Sequence, residues 1–203
     1  MKAFRSWVTV AGVVFLAAAA QAQTMQGKAL LQALQQGGHT IVMRHAASPR
    51  QAPTQQTANA DNTKLERQLD EEGRKTSTEL GKALRDLKIP IGEVLVSPTY
   101  RAMETVKYAQ LPNPKATPEL GDNGRDMQGG TAAQAEWTRK RVAQFSSGPN
   151  AVLVTHAPNL TGAFPTAATG LADGEALIFG PDGKGGAVVV ARLKIEEWAK
   201  LGN

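Results

Sequence analysis

Four residues could do chemistry together: Arg44 and His45 in "TIVMRHAASP", Arg101 in "SPTYRAMET" and His156 in "VTHAPNL". Guanidinium groups match phosphate oxygens in bidentate geometry and carry a permanent charge. Histidine either binds phosphate as imidazolium or attacks it as neutral imidazole. Two of each in one crevice would make a strong anion site. Transfer at phosphorus needs the oxygens held and their charge countered, which arginines do without a metal. A leaving alkoxide needs a proton, so a carboxylic acid is expected close by. The third histidine, His39, has no partner motif and reads as a structural or surface residue.

The elements around these residues give them a common address. The spacing predicts a short helix over Lys28–Gln36, ended by Gly37-Gly38. A first apolar strand runs from His39 to Met43. Ala46 to Asn62 is rich in Ala, Gln, Thr, Pro and Asn and reads as a long functional loop. A charged amphipathic helix is predicted over Asp70–Leu87, with Leu80, Leu84 and Leu87 at helical spacing. A second strand covers Glu93–Val96 and is broken by Ser97-Pro98. A helix follows over Tyr100–Ala109, then loop over Leu111–Gly130 and a helix over Thr131–Phe145. Ala151–Thr155 is a third apolar strand, and Leu160–Thr169 a short helix. Ala176–Phe179 and Ala187–Ile195 read as two strands joined by the hairpin turn "GPDGKGG".

Apolar strands alternating with helices predict a single α/β domain: a three-layer α/β/α sandwich with a mainly parallel sheet and a C-terminal hairpin. In such sheets ligands bind beyond the carboxyl ends of the strands. Arg44-His45, Ser97-Pro98 with Arg101, and His156 all fall there. On its own, Arg44-His45 fits a strand that merely surfaces. With Arg101 and His156 at matching strand ends, a shared anion pocket is the better reading.

Composition narrows the classes. Residues 1–22 combine Lys2 and Arg5, an apolar run from Trp7 to Ala20 and a small-residue site at Ala20-Gln21-Ala22. This is the layout of a signal peptide cut before Gln23, and it predicts a periplasmic or secreted protein. The run is short for a bilayer span of about 20 residues, so no stable membrane insertion is expected after cleavage. Removing it leaves 181 of 203 residues, with 21 basic and 18 acidic side chains. The excess is slight, and no Lys/Arg cluster interleaved with aromatics signals a nucleic-acid partner. The chain has no cysteine, which excludes disulfides and thiolate metal sites.

These motifs resemble the histidine phosphatase superfamily, the phosphoglycerate mutase-like proteins. "VMRHAASP" is similar to the family's Arg-His strand end, "LVSPTYRAMET" to its second arginine motif, and "AVLVTHAPNL" to the strand bearing the second histidine. "GEALIFGPDGKGGAVVVARLKIEEW" resembles the closing hairpin of small exported bacterial members. The resemblance implies that His45 is the nucleophile of a phosphohistidine intermediate. It implies that Arg44, Arg101 and His156 hold the phosphoryl oxygens, and that no metal or cofactor takes part. It places the general acid in the loop after the Arg-Ala helix. Aligning "PEL" in "TPELGDNGRD" puts Asp122 there, with Glu119, Asp126 and Glu175 as competitors. Two positions depart from the family pattern. Ala46 stands where a glycine is usual, which is tolerable if its φ is negative. Asp122 is one methylene shorter than the usual glutamate.

The function expected is hydrolysis of a small-molecule or envelope phosphomonoester. Rival readings are a phosphatase or transferase specific for a phosphorylated cell-envelope component, and a non-catalytic phosphate-binding protein of the same fold. Several other charges have two readings. Asp61-Asn62 and Arg67-Gln68 line the pocket mouth, or serve as caps and solvated charge. Glu104, one turn past Arg101, orients Arg101 through a salt bridge or takes part in catalysis.

Overall fold

Alternation along the strands builds the core. In β1 (Thr40–Arg44), Ile41 and Met43 enter one hydrophobic cluster while Val42 enters another. In β4 (Asn150–Thr155), Val152 and Val154 face the first cluster and Leu153 the second. A strand whose successive side chains are buried on opposite faces must be covered on both sides. The computed structural model describes residues 24–122 and 131–202 and has that form. The expected signal peptide and the candidate acid Asp126 lie outside the described residues.

The remaining strands are β2 (Ile91–Val96), β3 (Lys115–Ala116), β5 (Ala176–Pro181) and β6 (Ala187–Leu193). The six-stranded sheet has the order β3-β2-β4-β1-β5-β6. The first four strands are parallel, with β4 inserted between β2 and β1. β5 returns antiparallel beside β1, and β6 closes the hairpin. On one face lie α1 (Gly27–Gln36), α2 (Glu71–Asp86), α3 (Tyr100–Ala109) and a C-terminal 3-10 helix (Ile195–Lys200). On the other lie α4 (Ala132–Val142) and α5 (Ala157–Ala163). Among the described residues no helix is long and apolar enough to cross a membrane.

Several boundaries differ from expectation for local reasons. β1 includes Arg44, because its pairing with β4 runs on to Arg44 opposite Thr155. The short helix begins at Ala157, earlier than Leu160, with Pro158 in its first turn, where a proline lacks no needed donor. It ends at Ala163, where Phe164 leaves helical geometry. α4 stops at Val142, and the 111–122 stretch carries β3 and a 3-10 turn (Pro118–Leu120). The last strand ends at Leu193, and the 3-10 helix beyond it was not expected.

Two glycines let α2 press against the site. A Cβ on Gly73 would collide with the Ala47 carbonyl, two residues past His45. A Cβ on Gly81 would collide with the Ala109 carbonyl at the end of α3. α2 therefore buttresses both the Arg-His strand end and the helix that bears Arg101.

Candidate functional site

The carboxyl ends of β1, β2 and β4 deliver the chemistry. His45 follows β1 and His156 follows β4, and their rings meet edge to face with centroids 5.2 Å apart. Ser97-Pro98 breaks β2, and the next turn starts α3 with Arg101 as its second residue. Both histidines and Arg101 are buried.

Hydrogen-bond accounting assigns the histidine protons. His45 Nδ1 lies 2.8 Å from the Ala46 carbonyl oxygen, an acceptor only, so Nδ1 carries the proton. Nε2 is left with its lone pair, which accepts from Arg101 Nε at 3.1 Å. Arg101 Nη2 donates to His156 Nδ1 at 3.2 Å and also pairs with the Asp122 carboxylate. Arg101 thus touches three of the other predicted site residues at once. Burial, more than anything, pushes both histidines below their ordinary range. The charge of Arg101 adds to this for both, and the two rings also repel protonation of His45. His45 is therefore a neutral imidazole with a free-electron-pair nitrogen facing a guanidinium.

Arg44 comes to the same end of the sheet. Its Nη1 donates to the Leu171 carbonyl at 3.1 Å, and its Nη2 pairs with Asp173 at 2.6 Å. Its charge bears on both histidines. Asp173 was not foreseen. No periodicity marks it; it arrives because β5 runs antiparallel to β1, which brings the start of β5 to the carboxyl end of β1. The Gly174 N–H donating to the His45 carbonyl at 3.0 Å is the same juxtaposition. Burial raises the Asp173 pKa, opposed by the charge of Arg44.

Ala46 has no left-handed φ. Its methyl packs in the core, and its N–H donates to Thr105 Oγ1 at 3.0 Å. The position therefore carries none of the strain that a side chain at a glycine site would bring.

The competing acids separate. Asp122 lines a cleft of about 490 Å³ together with Arg101, Thr99, Pro98, Lys64 and Arg67. Glu119 is exposed on the 3-10 turn and is not among the cleft-lining residues. Glu175 is buried, but its carboxylate accepts from Arg192 Nε at 2.5 Å and from the Ala172 N–H at 2.7 Å. It lines a different cavity with Arg192 and Lys194. Glu66, a carboxylate not singled out in the sequence, lines the cleft and accepts from the Tyr100 N–H at 2.9 Å, capping α3 just before Arg101.

Glu104 neither orients Arg101 nor reaches the cleft. Its two oxygens accept from the Leu69 N–H at 2.6 Å and from Asn59 Nδ2 at 2.7 Å. It fastens the 46–69 loop to α3. Asp61 joins the same fastening through the Tyr100 hydroxyl and Lys107, at 3.1 Å from Lys107 Nζ. Arg67 lines the cleft, while Gln68 bonds within the loop to Asn59 and Thr57. His39 is structural, with Nδ1 2.9 Å from the Gly37 carbonyl.

An α/β/α sandwich with two arginines and two histidines gathered at the strand ends defines a phosphate-handling class of protein. The model of the histidine phosphatase superfamily (branch 1) matches residues 40–155, and the chain belongs to that superfamily. Among solved structures, the protein histidine phosphatase SixA complexed with tungstate aligns over 78% of this chain and 98% of its own, at 16% identity and a TM-score of 0.58. A mutant phosphoserine phosphatase from Entamoeba histolytica in complex with phosphoserine covers the same shares at 13% identity and a TM-score of 0.55. A putative phosphohistidine phosphatase SixA from Agrobacterium tumefaciens covers 77% of this chain and 97% of its own, at 12% identity and a TM-score of 0.53. At these identities the likeness is one of fold. Among curated proteins none matches the sequence.

Proposed function

We propose that this chain is a phosphomonoester hydrolase working through a phosphohistidine on His45. The observation that carries the reading is Arg101, joined at once to His45 Nε2, His156 Nδ1 and Asp122. An incoming phosphoryl group draws the Arg101 donors from the histidines to its own oxygens. That frees the Nε2 lone pair, which forms the N–P bond as the P–O bond to the alcohol breaks. Arg44, Arg101 and His156 counter the charge on the oxygens. Asp122, protonated from solvent once Arg101 has turned to the phosphoryl oxygens, gives that proton to the departing alkoxide, then takes one from the water that attacks phospho-His45, and inorganic phosphate leaves. The permanent guanidinium charges take the part that a metal plays in other phosphatases. Burial supports the nucleophile's role, since it keeps His45 unprotonated at neutral pH.

Turnover of p-nitrophenyl phosphate in EDTA tests the reaction, and a rapid quench that avoids acid tests the phosphoenzyme. Full activity in His45→Ala would sink the phosphohistidine route. Phosphate binding without turnover at any pH from acid to neutral would instead favour a phosphate-binding protein. We further infer that the chain acts outside the cytoplasm, on the strength of residues 1–22. Cell fractionation with a mature mass starting at Gln23 is the expected result. Lys64 and Arg67 at the cleft favour an alcohol that carries further anionic groups, as phosphorylated envelope components do. A substrate screen comparing such fragments with neutral phosphomonoesters checks that preference.

A further inference from the structure

His156 has a second neighbour that the phosphoryl chemistry above leaves unused. Its Nε2 lies 2.8 Å from Ser97 Oγ, a hydroxyl with no solvent exposure. Ser97 Oγ is in turn 3.2 Å from Thr99 Oγ1 and accepts from the Thr99 N–H at 3.3 Å. Thr99 is half-buried and lines the cleft. Arginine can only donate, so His156 Nδ1 must accept from Arg101. The ring proton is then on Nε2 and points at Ser97 Oγ, whose own proton points at Thr99 Oγ1. The chain of bonds runs one way, from Arg101 through His156 to Ser97 at 2.8 Å and on to Thr99, whose hydroxyl also stands 3.4 Å from His156 Nε2, the longer of the two contacts to that nitrogen.

That direction is wrong for a group that must hold a phosphoryl oxygen. With Nδ1 unprotonated, the nitrogen facing Arg101 offers a lone pair to an anion. We propose that Ser97, backed by Thr99, is a positioning residue that lets His156 exchange ring protons, so that Nδ1 turns from acceptor of Arg101 into donor to the bound phosphoryl group. The inference rests on the reading of His156 as a phosphoryl-binding residue. The balance is simple. Nε2 passes its proton to Ser97 Oγ, Ser97 passes its own to Thr99 Oγ1, and the Thr99 hydroxyl proton leaves to water in the cleft. Nδ1 takes a proton from the P–OH of a monoanionic ester. The imidazole stays neutral throughout, the ester becomes a dianion, and one proton passes from substrate to solvent. The reversed chain then runs from Thr99 through Ser97 to the Nε2 lone pair. Arg101 Nη2, released from Nδ1, turns to the phosphoryl oxygens. A buried histidine in this setting can thus donate to an anion without acquiring a buried charge.

Nitrogen-15 imidazole spectra of the full chain at neutral pH read the proton position directly, with His156→Gln supplying the assignment. The expected result is an empty protein with His156 protonated on Nε2 alone, and a protein saturated with inorganic phosphate in which it is protonated on Nδ1 alone. Ser97→Ala is expected to bind phosphate about tenfold more weakly, the loss of one buried hydrogen-bond partner. It should also fail to make the exchange, while Ser97→Thr, which keeps the hydroxyl, restores both. A wild-type His156 that keeps its Nε2 proton with phosphate bound, or becomes doubly protonated, overturns the relay. So does an unimpaired exchange in Ser97→Ala. If phosphate drives the exchange but p-nitrophenyl phosphate is not hydrolysed, the relay stands and the phosphatase reading fails. If phospho-His45 forms while the His156 proton never moves, the reverse holds.

Discussion

Burying two histidines side by side makes this fold sensitive to mild acid, and the effect can be sized. An unfolded histidine titrates near pH 6.5, whereas burial holds both His45 and His156 well below that, His156 at about 3. The sign follows from which state binds the proton. Between the two pKa values only the unfolded chain takes it up, so stability is complete above about pH 6.5 and drains away as pH falls towards the folded value. Each group contributes about 1.4 kcal/mol per pH unit in that window. From pH 7 to pH 5 the loss is about 2 kcal/mol for His156, against a total of about 5–15 kcal/mol for a domain, and His45 acts in the same direction. Glu104 and Asp173, whose pKa values burial raises, act with the opposite sign as pH falls. The histidine share is therefore read by difference. Urea unfolding of wild type and His156→Gln, followed by circular dichroism from pH 8 to pH 5, should give curves that converge by about 2 kcal/mol towards acid. Parallel curves would refute the reasoning, for they would mean that His156 is not kept neutral by the fold.

Arg101→Lys keeps the charge but cannot reach His45, His156 and Asp122 together, so kcat/KM for p-nitrophenyl phosphate should fall by about 10²–10³. Asp122→Asn should slow alkyl phosphates by about 10²-fold or more while leaving p-nitrophenyl phosphate, a good leaving group, much less affected; equal losses would point to another acid. Glu104→Ala leaves the Leu69 N–H without its acceptor and Asn59 Nδ2 with the Tyr100 hydroxyl alone, at a cost of about 2 kcal/mol. Fast hydrogen exchange at the Leu69 amide would report it, with p-nitrophenyl phosphate activity falling as the 46–69 loop loosens. Gly73→Ala should destabilise the protein and lower activity together, because the new methyl must displace the Ala47 backbone next to His45.

Much of the layout of the candidate site is legible locally. Arg44, Arg101 and His156 could be placed at strand ends because each follows an apolar run and stands next to a breaker or a helix start, all signals within a few residues. The same signals located the helix that bears Arg101 to the residue, Tyr100–Ala109. Elsewhere the deciding contact is distant in the chain. Glu104 sits one turn from Arg101, yet its acceptors serve a loop 35 and 45 residues away, at Leu69 and Asn59. Glu175 looked like a possible acid, but the β5–β6 hairpin sets it against Arg192, 17 residues on.

By itself the sequence determined which side chains stand at the ends of strands, since strand, breaker and helix start are set by neighbours in the chain. It also determined the layered α/β character, through strands apolar on both faces. Only the tertiary structure decided who meets whom there. The insertion of β4 between β2 and β1 brings His156 to Arg101 and His45. The antiparallel return of β5 beside β1 delivers Asp173 to Arg44. The direction of the His156–Ser97–Thr99 bonds depends on Arg101, 55 residues from His156, having donors and no acceptor. Register and strand order are properties of the whole packed sheet, and no short stretch of residues encodes them.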